Sequence, residues 1–509
     1  MWTWLSRLVI TLFLGISIFG CAERKAEVSG KAPDVTPPSE VTDFKAFAYE
    51  DRIEMSWQNP EDDDFKGLLL VRTETEVIDF PIWDESYEKG DRLGDGVVAY
   101  VGKGEEFKDS DITCGKTYKY FLFAFDESHN YSAPMKLEAL PGGMVVGRIG
   151  FAVTELVDGR YLITGGISYG GPTDSAEVFD PASAGFELLH YHMSVARFAH
   201  TATLLQDGRV LIVGGFKEGL SDTLASAEMF DPATGRFDEL SSKLNYARAE
   251  QGASILPDGK VLIVGGTDGI APIASAEIFD PTTNEFSELS GSLADARMGF
   301  TVTPFVKDTN QYLLIAGGVG AEGFALDTAE VFNFSSMRFE NLAGEEGKTE
   351  KMLCARAVHG AVALDESRVL IVGGYSGDEA TGEPTSCVEI FDPNAAEPFN
   401  SAADLLQARS GFAISTLQDG RVLVCGGTGE SLEIIGTAEL YDPTLDAWTS
   451  AGTLIVPRTV SSLIPMPDGH MLLVGGNASG NFFEPKPVAA PELFDPDTLS
   501  FAFFVSCSK

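Results

Sequence analysis

Basic residues are scarce in this chain: 36 Lys and Arg stand against 76 Asp and Glu, a formal net charge of −40. Binding to a phosphate backbone rests on clustered Lys and Arg, so the imbalance excludes DNA, RNA and anionic lipid headgroups as the main partner. Cysteine is scarce too, at six, and no two stand as Cys-x-x-Cys, which removes the usual zinc and thioredoxin-like readings. There are six histidines and no His-x-x-x-His, and neither a nucleophile elbow nor a phosphate-cradling glycine loop occurs. The apolar run Leu8–Phe19 falls short of the roughly 20 residues that span a bilayer. What remains is a globular composition, 44% hydrophobic and 22% charged. Its oddity is glycine, at 54 residues, well above the usual share of roughly 7%.

Arg7 precedes the apolar run, which ends in Ile18-Phe19-Gly20-Cys21. A basic residue, a short apolar stretch and a small residue before the cut describe a secretory signal over 1–20. The cysteine directly after Gly20 resembles the lipobox of bacterial lipoproteins. That resemblance implies acylation of Cys21 and a lipid-anchored, extracytoplasmic place in a bacterial cell envelope, at the outer membrane or cell surface. Residues 21–40 are polar, with Pro33, Pro37 and Pro38, and read as a lipidated tether. Five cysteines follow Cys21, an odd number, so at most two bridges form and at least one thiol stays free.

Residues 41–139 alternate short β-rich runs with turn clusters: Ile53–Trp57, Gly67–Arg72 and Lys119–Phe125. This spacing predicts an all-β sandwich. Pro37-Pro38, Trp57, Asn59-Pro60, Thr117-Tyr118 and the closing Asp126–Ser132 resemble a fibronectin type III domain. The resemblance implies a spacer or adhesive module with no catalytic role. Thr73–Asp95 departs from it as a long inter-strand loop.

Residues 144–505 repeat. A Gly-Gly pair closes an apolar run seven times, with second glycines at Gly166, Gly215, Gly266, Gly318, Gly374, Gly427 and Gly476. Each copy carries an arginine heading an apolar run, then a turn that is Asp-Gly in five copies. A Glu-x-aromatic strand and a further aromatic run complete the unit, as in Phe230/Phe237. Asp-Gly between apolar runs signals a hairpin because both residues tolerate positive φ. Four short strands per copy cannot bury their faces alone but can by radial stacking, which predicts a seven-bladed β-propeller in an all-β chain. The glycine doublets with spaced aromatics resemble kelch repeats, a strong indication of fold and a weak one of function. The sequence leaves open whether the ring closes by packing alone or with a strand donated by 143–146 or the tail.

Because strands alternate direction, the loops after each Gly-Gly pair and the links between copies share one face. These loops vary (Ile167–Ser175, Phe216–Ser226, Thr267–Ser275, Val319–Thr328, Tyr375–Ser386, Thr428–Thr437, Asn477–Ala490), which makes this the expected binding face. Arg148, Arg197, Arg248, Arg297, Arg356, Arg409 and Arg458 stand on it. As exposed cations they form a ring for an acidic ligand, a use the kelch resemblance implies. Seven matching glutamates, Glu177, Glu228, Glu277, Glu330, Glu389, Glu439 and Glu492, give the other reading: a repeated ion pair that fixes each copy. Cys354 and Cys387, each two residues before such an Arg or Glu, form the candidate disulfide. Cys425 reads as a small core residue, and Cys114 and Cys507 are left as free thiols.

The leading expectation is a tethered, monomeric binding protein that recognises a glycan or a protein through the Gly-Gly face, with no cofactor and no metal. The alternative is a carbohydrate-active enzyme, since propellers of this kind include copper radical oxidases and a sugar epimerase. No cysteine stands near the Tyr191-His192 pair, and His200 and His359 look like repeat framework.

Overall fold

The computed structural model describes residues 35–49, 51–75, 78–342, 350–378, 382–479 and 484–507. The expected signal peptide, Cys21 and most of the tether lie outside the described residues. Among the described residues there is no α-helix, and so no helix long and apolar enough to cross a membrane.

Residues 42–139 form two antiparallel sheets, one of three strands (Thr42–Ala48, Ile53–Gln58, Glu106–Asp109) and one of five. Alternation sorts the side chains: Ile53, Met55 and Trp57 face Leu68, Leu70, Tyr120 and Leu122 across the gap. The five-stranded sheet is apolar on its other face as well, through Leu69, Val71, Phe121 and Phe123. The segment after Thr73 covers that face with Ile78, Tyr87 and Leu93, and Arg92–Leu93 pairs along the sheet edge. The long loop is therefore a lid that a sheet with two apolar faces requires.

Among the described residues the repeats fold into seven sheets of four strands in chain order, the fourth carrying one extra strand, Lys351–Arg356, and three two-stranded ribbons beside them. The second repeat shows the pattern. Thr201–Leu204 pairs with Val210–Val213, which pairs with Ala227–Asp231 and then Arg236–Glu239. Second strands such as Val210–Val213 and Val261–Val264 are buried along their whole length. The aromatics seven apart are cross-strand neighbours: Phe230 opposes Phe237 with ring centroids 4.8 Å apart, and Tyr441 opposes Trp448 at 5.0 Å.

First strands of successive sheets approach one another, which sets them round the axis. The ring closes by packing. Ile464, Leu472 and Val474 of the seventh sheet pack on Tyr161, Ile163 and Phe179 of the first. Residues 143–146 add no strand, although Met144 N–H donates to Ala489 O at 3.0 Å.

The thiol expectation for Cys114 and Cys507 is corrected: they are disulfide-bonded across 393 residues, Cα to Cα 5.9 Å. The cause is local. Gly115 N–H donates to Pro141 O and Ser506 N–H to Gly142 O, so one end of the sandwich and the C-terminal tail meet on the same linker. Cys354 and Cys387 are also bonded, and Cys425 is a buried free thiol.

Candidate functional site

The face that carries the Gly-Gly loops is built on the seven arginines. Arg197 donates through Nη1 to the carbonyls of Gly214 (2.8 Å) and Ser226 (3.3 Å), and through Nη2 to Glu228 Oε1 (2.8 Å). Glu228 also accepts the backbone N–H groups of Ser194 (2.7 Å) and Val195 (3.3 Å) in the incoming link. The same Arg to Glu bond recurs in all seven copies, and every one of the arginines has 0% exposure. Burial pulls the guanidinium of Arg197 toward deprotonation, and Glu228 opposes it.

This corrects the expectation of a cationic binding ring. Arg148, Arg197, Arg248, Arg297, Arg356, Arg409 and Arg458 have no surface to offer a ligand, because each guanidinium is spent on its own blade.

The doubled glycine follows from the neighbour. Gly215 N–H donates to Arg248 O of the next blade at 2.9 Å, and both glycines are left-handed, φ 65° and 96°. A Cβ on Gly214 would stand 2.8 Å from Gln251 Nε2 of that blade. Only glycine meets both demands.

Two residues after each arginine the chain is again left-handed: Gly150, Ala199, Glu250, Gly299, Val358, Gly411 and Val460, with φ between 50° and 64°. Five backbone hydrogen bonds join these positions blade to blade, for example Ala199 N–H to Gly150 O (2.7 Å) and Glu250 N–H to Ala199 O (3.0 Å). They rim the channel mouth. Four are not glycine, so sequence gave no mark of this ring.

One position further on, His200 and His359 lie buried in seams between blades. His200 Nε2 shares a hydrogen bond with Thr164 Oγ1 (2.8 Å), and His359 Nε2 with Thr301 Oγ1 (2.9 Å). Burial and the nearby arginines hold His200 neutral, with its pKa pushed down to about 3, and His359 moves the same way.

Apolar surface is distributed unevenly over the ring. Tyr246, Ile270, Phe324, Leu353, Leu406 and Ile455 are exposed on the Gly-Gly face, Ile270 to 85%. On the opposite turns, Val157 and Leu445 are exposed. The sandwich occupies part of the Gly-Gly face itself. Ala48 N–H donates to Val145 O (3.1 Å), and Tyr169, from the first loop, packs into the sandwich core. That loop is covered by the chain's own sandwich, leaving the face of blades two to six open.

Among the described residues no three His, Cys, Asp or Glu side chains come together as a metal site.

Residues 197–244 and 253–291 match the Kelch motif. The chain is similar to alpha-scruin of Limulus polyphemus, 26% identical over 151 residues, 29% of this chain and 16% of that protein. It is also similar to an F-box/kelch-repeat protein of Arabidopsis thaliana, 27% identical over 176 residues, 34% of this chain and 40% of the relative. The match thus spans well under half the length of these relatives. Among solved structures, a fungal alcohol oxidase in complex with copper aligns with a TM-score of 0.52 and 17% identity, over 71% of this chain and 75% of the oxidase. That likeness concerns fold alone.

Proposed function

For a chain whose larger part is a kelch-repeat β-propeller, we propose a binding protein tethered outside the cytoplasm, which recognises another protein through its Gly-Gly face. The observation that carries this is the uneven apolar surface: large side chains stand exposed on the loops and links of that face and are few on the opposite turns. Large apolar side chains gathered on one face of a rigid scaffold mark protein interaction. Kelch-repeat proteins among the relatives are in keeping with an interaction role.

The tether completes the reading. Residues 1–20 are a signal peptide, Cys21 carries the lipid, 21–40 hold the folded part off the membrane, 41–139 are a fibronectin type III-like spacer and 144–505 the propeller. Two observations support it. The Tyr118 hydroxyl accepts Thr113 N–H at 2.8 Å, as in the tyrosine corner of such sandwiches, and two disulfides suit an oxidising compartment.

The test is a binding screen with the mature, folded chain against peptide and glycan arrays. Retention on peptides that is lost when Leu353 and Leu406 are changed to Ser, with folding intact, supports the proposal. Retention on glycans alone overturns it. Metabolic labelling with a palmitate analogue, lost on Cys21→Ser, tests the anchor.

A further inference from the structure

Once the arginines are buried, the charge of the binding face changes sign. The seven loops after the glycine pairs hold twelve Asp or Glu and only two Lys. One of those lysines, Lys217, is paired with its neighbour Glu218 at 3.2 Å. A single charged side chain also stands on the rim of the channel mouth. Of the seven rim positions, six are Gly, Ala or Val and the seventh is Glu250.

Glu250 makes no ion pair with any described residue, and its carboxylate hangs over the neighbouring Gly299, Oε2 3.9 Å from where a Cβ would stand. It lies in a groove between the second, third and fourth blades whose walls are Phe216, Leu220, Ile270 and Met298. Among the described residues no other charged side chain lines this groove. Burial pulls the Glu250 carboxyl toward its protonated form, which a cation in the groove would reverse, and across the mouth burial first and then the charge of Glu250 hold the Tyr375 phenol protonated.

An apolar groove ending in a carboxylate that has no basic partner among the described residues, on a strongly acidic face, complements a cation carried on an apolar stem. We infer that the partner presents a basic segment with apolar flanks, one lysine or arginine of which meets the Glu250 carboxylate while its neighbours lie in the groove. The inference rests on the proposed function and specifies the partner's chemistry. It is opposite in sign to the acidic ligand expected from an arginine ring. Complementary charge of this kind steers encounter and weakens with salt.

The probe is an array of 15-residue peptides in matched triplets: a central Lys with Leu and Ile flanks, the same peptide with norleucine for Lys, and the same with Glu. The mature full-length chain is applied at low and high salt. Lysine peptides are expected to be retained most, with affinity falling on added salt. Glu250→Gln is expected to weaken them about tenfold or more, the worth of a charge-assisted hydrogen bond. Ile270→Ser, at a side chain already 85% exposed and so outside the core, is expected to weaken them by about tenfold as well.

Equal retention of the norleucine or glutamate peptides, or affinity unchanged by Glu250→Gln, overturns the inference while leaving a protein-binding face in place. Retention of no peptide of any charge overturns both. Retention of free alkylamines without preference for peptide overturns the assignment to a protein segment.

Discussion

A guanidinium with no exposed surface, repeated seven times, is there for geometry. Each arginine ties the end of the second strand to the third, and its glutamate in turn holds the incoming link by backbone N–H groups. Exchange of such a pair for apolar residues is often neutral, but here it would also take the acceptor from two part-buried backbone N–H groups. The histidines next to this framework give a pH test. His200 has a folded pKa of about 3 against roughly 6.5 unfolded, so between those values the unfolded chain binds the extra proton and stability rises with pH. The stabilising neutral form is thus fully counted above pH 6.5 and lost progressively on acidification toward pH 3. Phe stands at the equivalent place in the first, fourth and sixth blades (Phe151, Phe300, Phe412), so His200→Phe suits the seam. Urea unfolding from pH 7 to pH 4 is expected to show a shallower pH slope for the variant, by up to about 1.4 kcal/mol per pH unit. Identical slopes would mean that the imidazole is not buried neutral.

At the scale of strands and turns, one short side chain does the same task throughout. The Asp before most Pro turns accepts the N–H two residues on, as Asp231 does from Ala233 (2.9 Å), and Asn333 does so from Ser335 (2.9 Å) in the fourth blade, where the Pro is absent. The fourth blade also lacks Asp-Gly. It turns through Asp308 and Thr309 at φ 48° and 71°, a conformation unfavourable for a β-branched residue. Thr309→Gly, which restores the sequence used by its sisters, is expected to raise unfolding free energy by about 1 kcal/mol in chemical denaturation. No gain, or a loss, would show that the threonine side chain holds the turn.

These elements also mark what the sequence made legible. Glycine pairs, Asp-Gly turns and aromatics seven apart announce strands directly, because each residue type answers a local backbone or cross-strand demand. The rim of the mouth was hidden because Ala199, Glu250, Val358 and Val460 adopt left-handed backbone against their own preference, held there by a neighbouring blade. Glu250 was therefore invisible as a site residue, while the arginines were prominent for a structural reason. The cover over the first loop was equally hidden, since Tyr169 meets the sandwich only in three dimensions.

For the molecule as a whole, closure is the point at which a ring without strand exchange is most exposed. The seventh blade joins the first by the bond used at every other seam, Gly476 N–H to Arg148 O (2.8 Å), and by apolar packing. The tail adds a second layer. Phe504 stands edge-on to Phe179 of the first blade at 5.8 Å, Ser506 is bonded to the linker, and Cys507 is bonded to Cys114 in the sandwich. One short segment thus fastens last blade, first blade and sandwich together, so the three should unfold as a unit. The double change Cys114→Ser and Cys507→Ser leaves every sheet its strands but removes the fastening, a loss of about 2–4 kcal/mol by the usual worth of a disulfide. Calorimetry is expected to show one transition for the oxidised protein and an earlier, separate sandwich transition for the variant, with reductant moving the parent protein toward the variant. Changing Cys354 and Cys387 together, a bridge between the extra strand of the fourth sheet and the fifth blade and remote from the sandwich, should not split the transition. If both double variants unfold in a single step at the parent temperature, the blades and linker alone hold the ring to the sandwich, and the tail is incidental to closure.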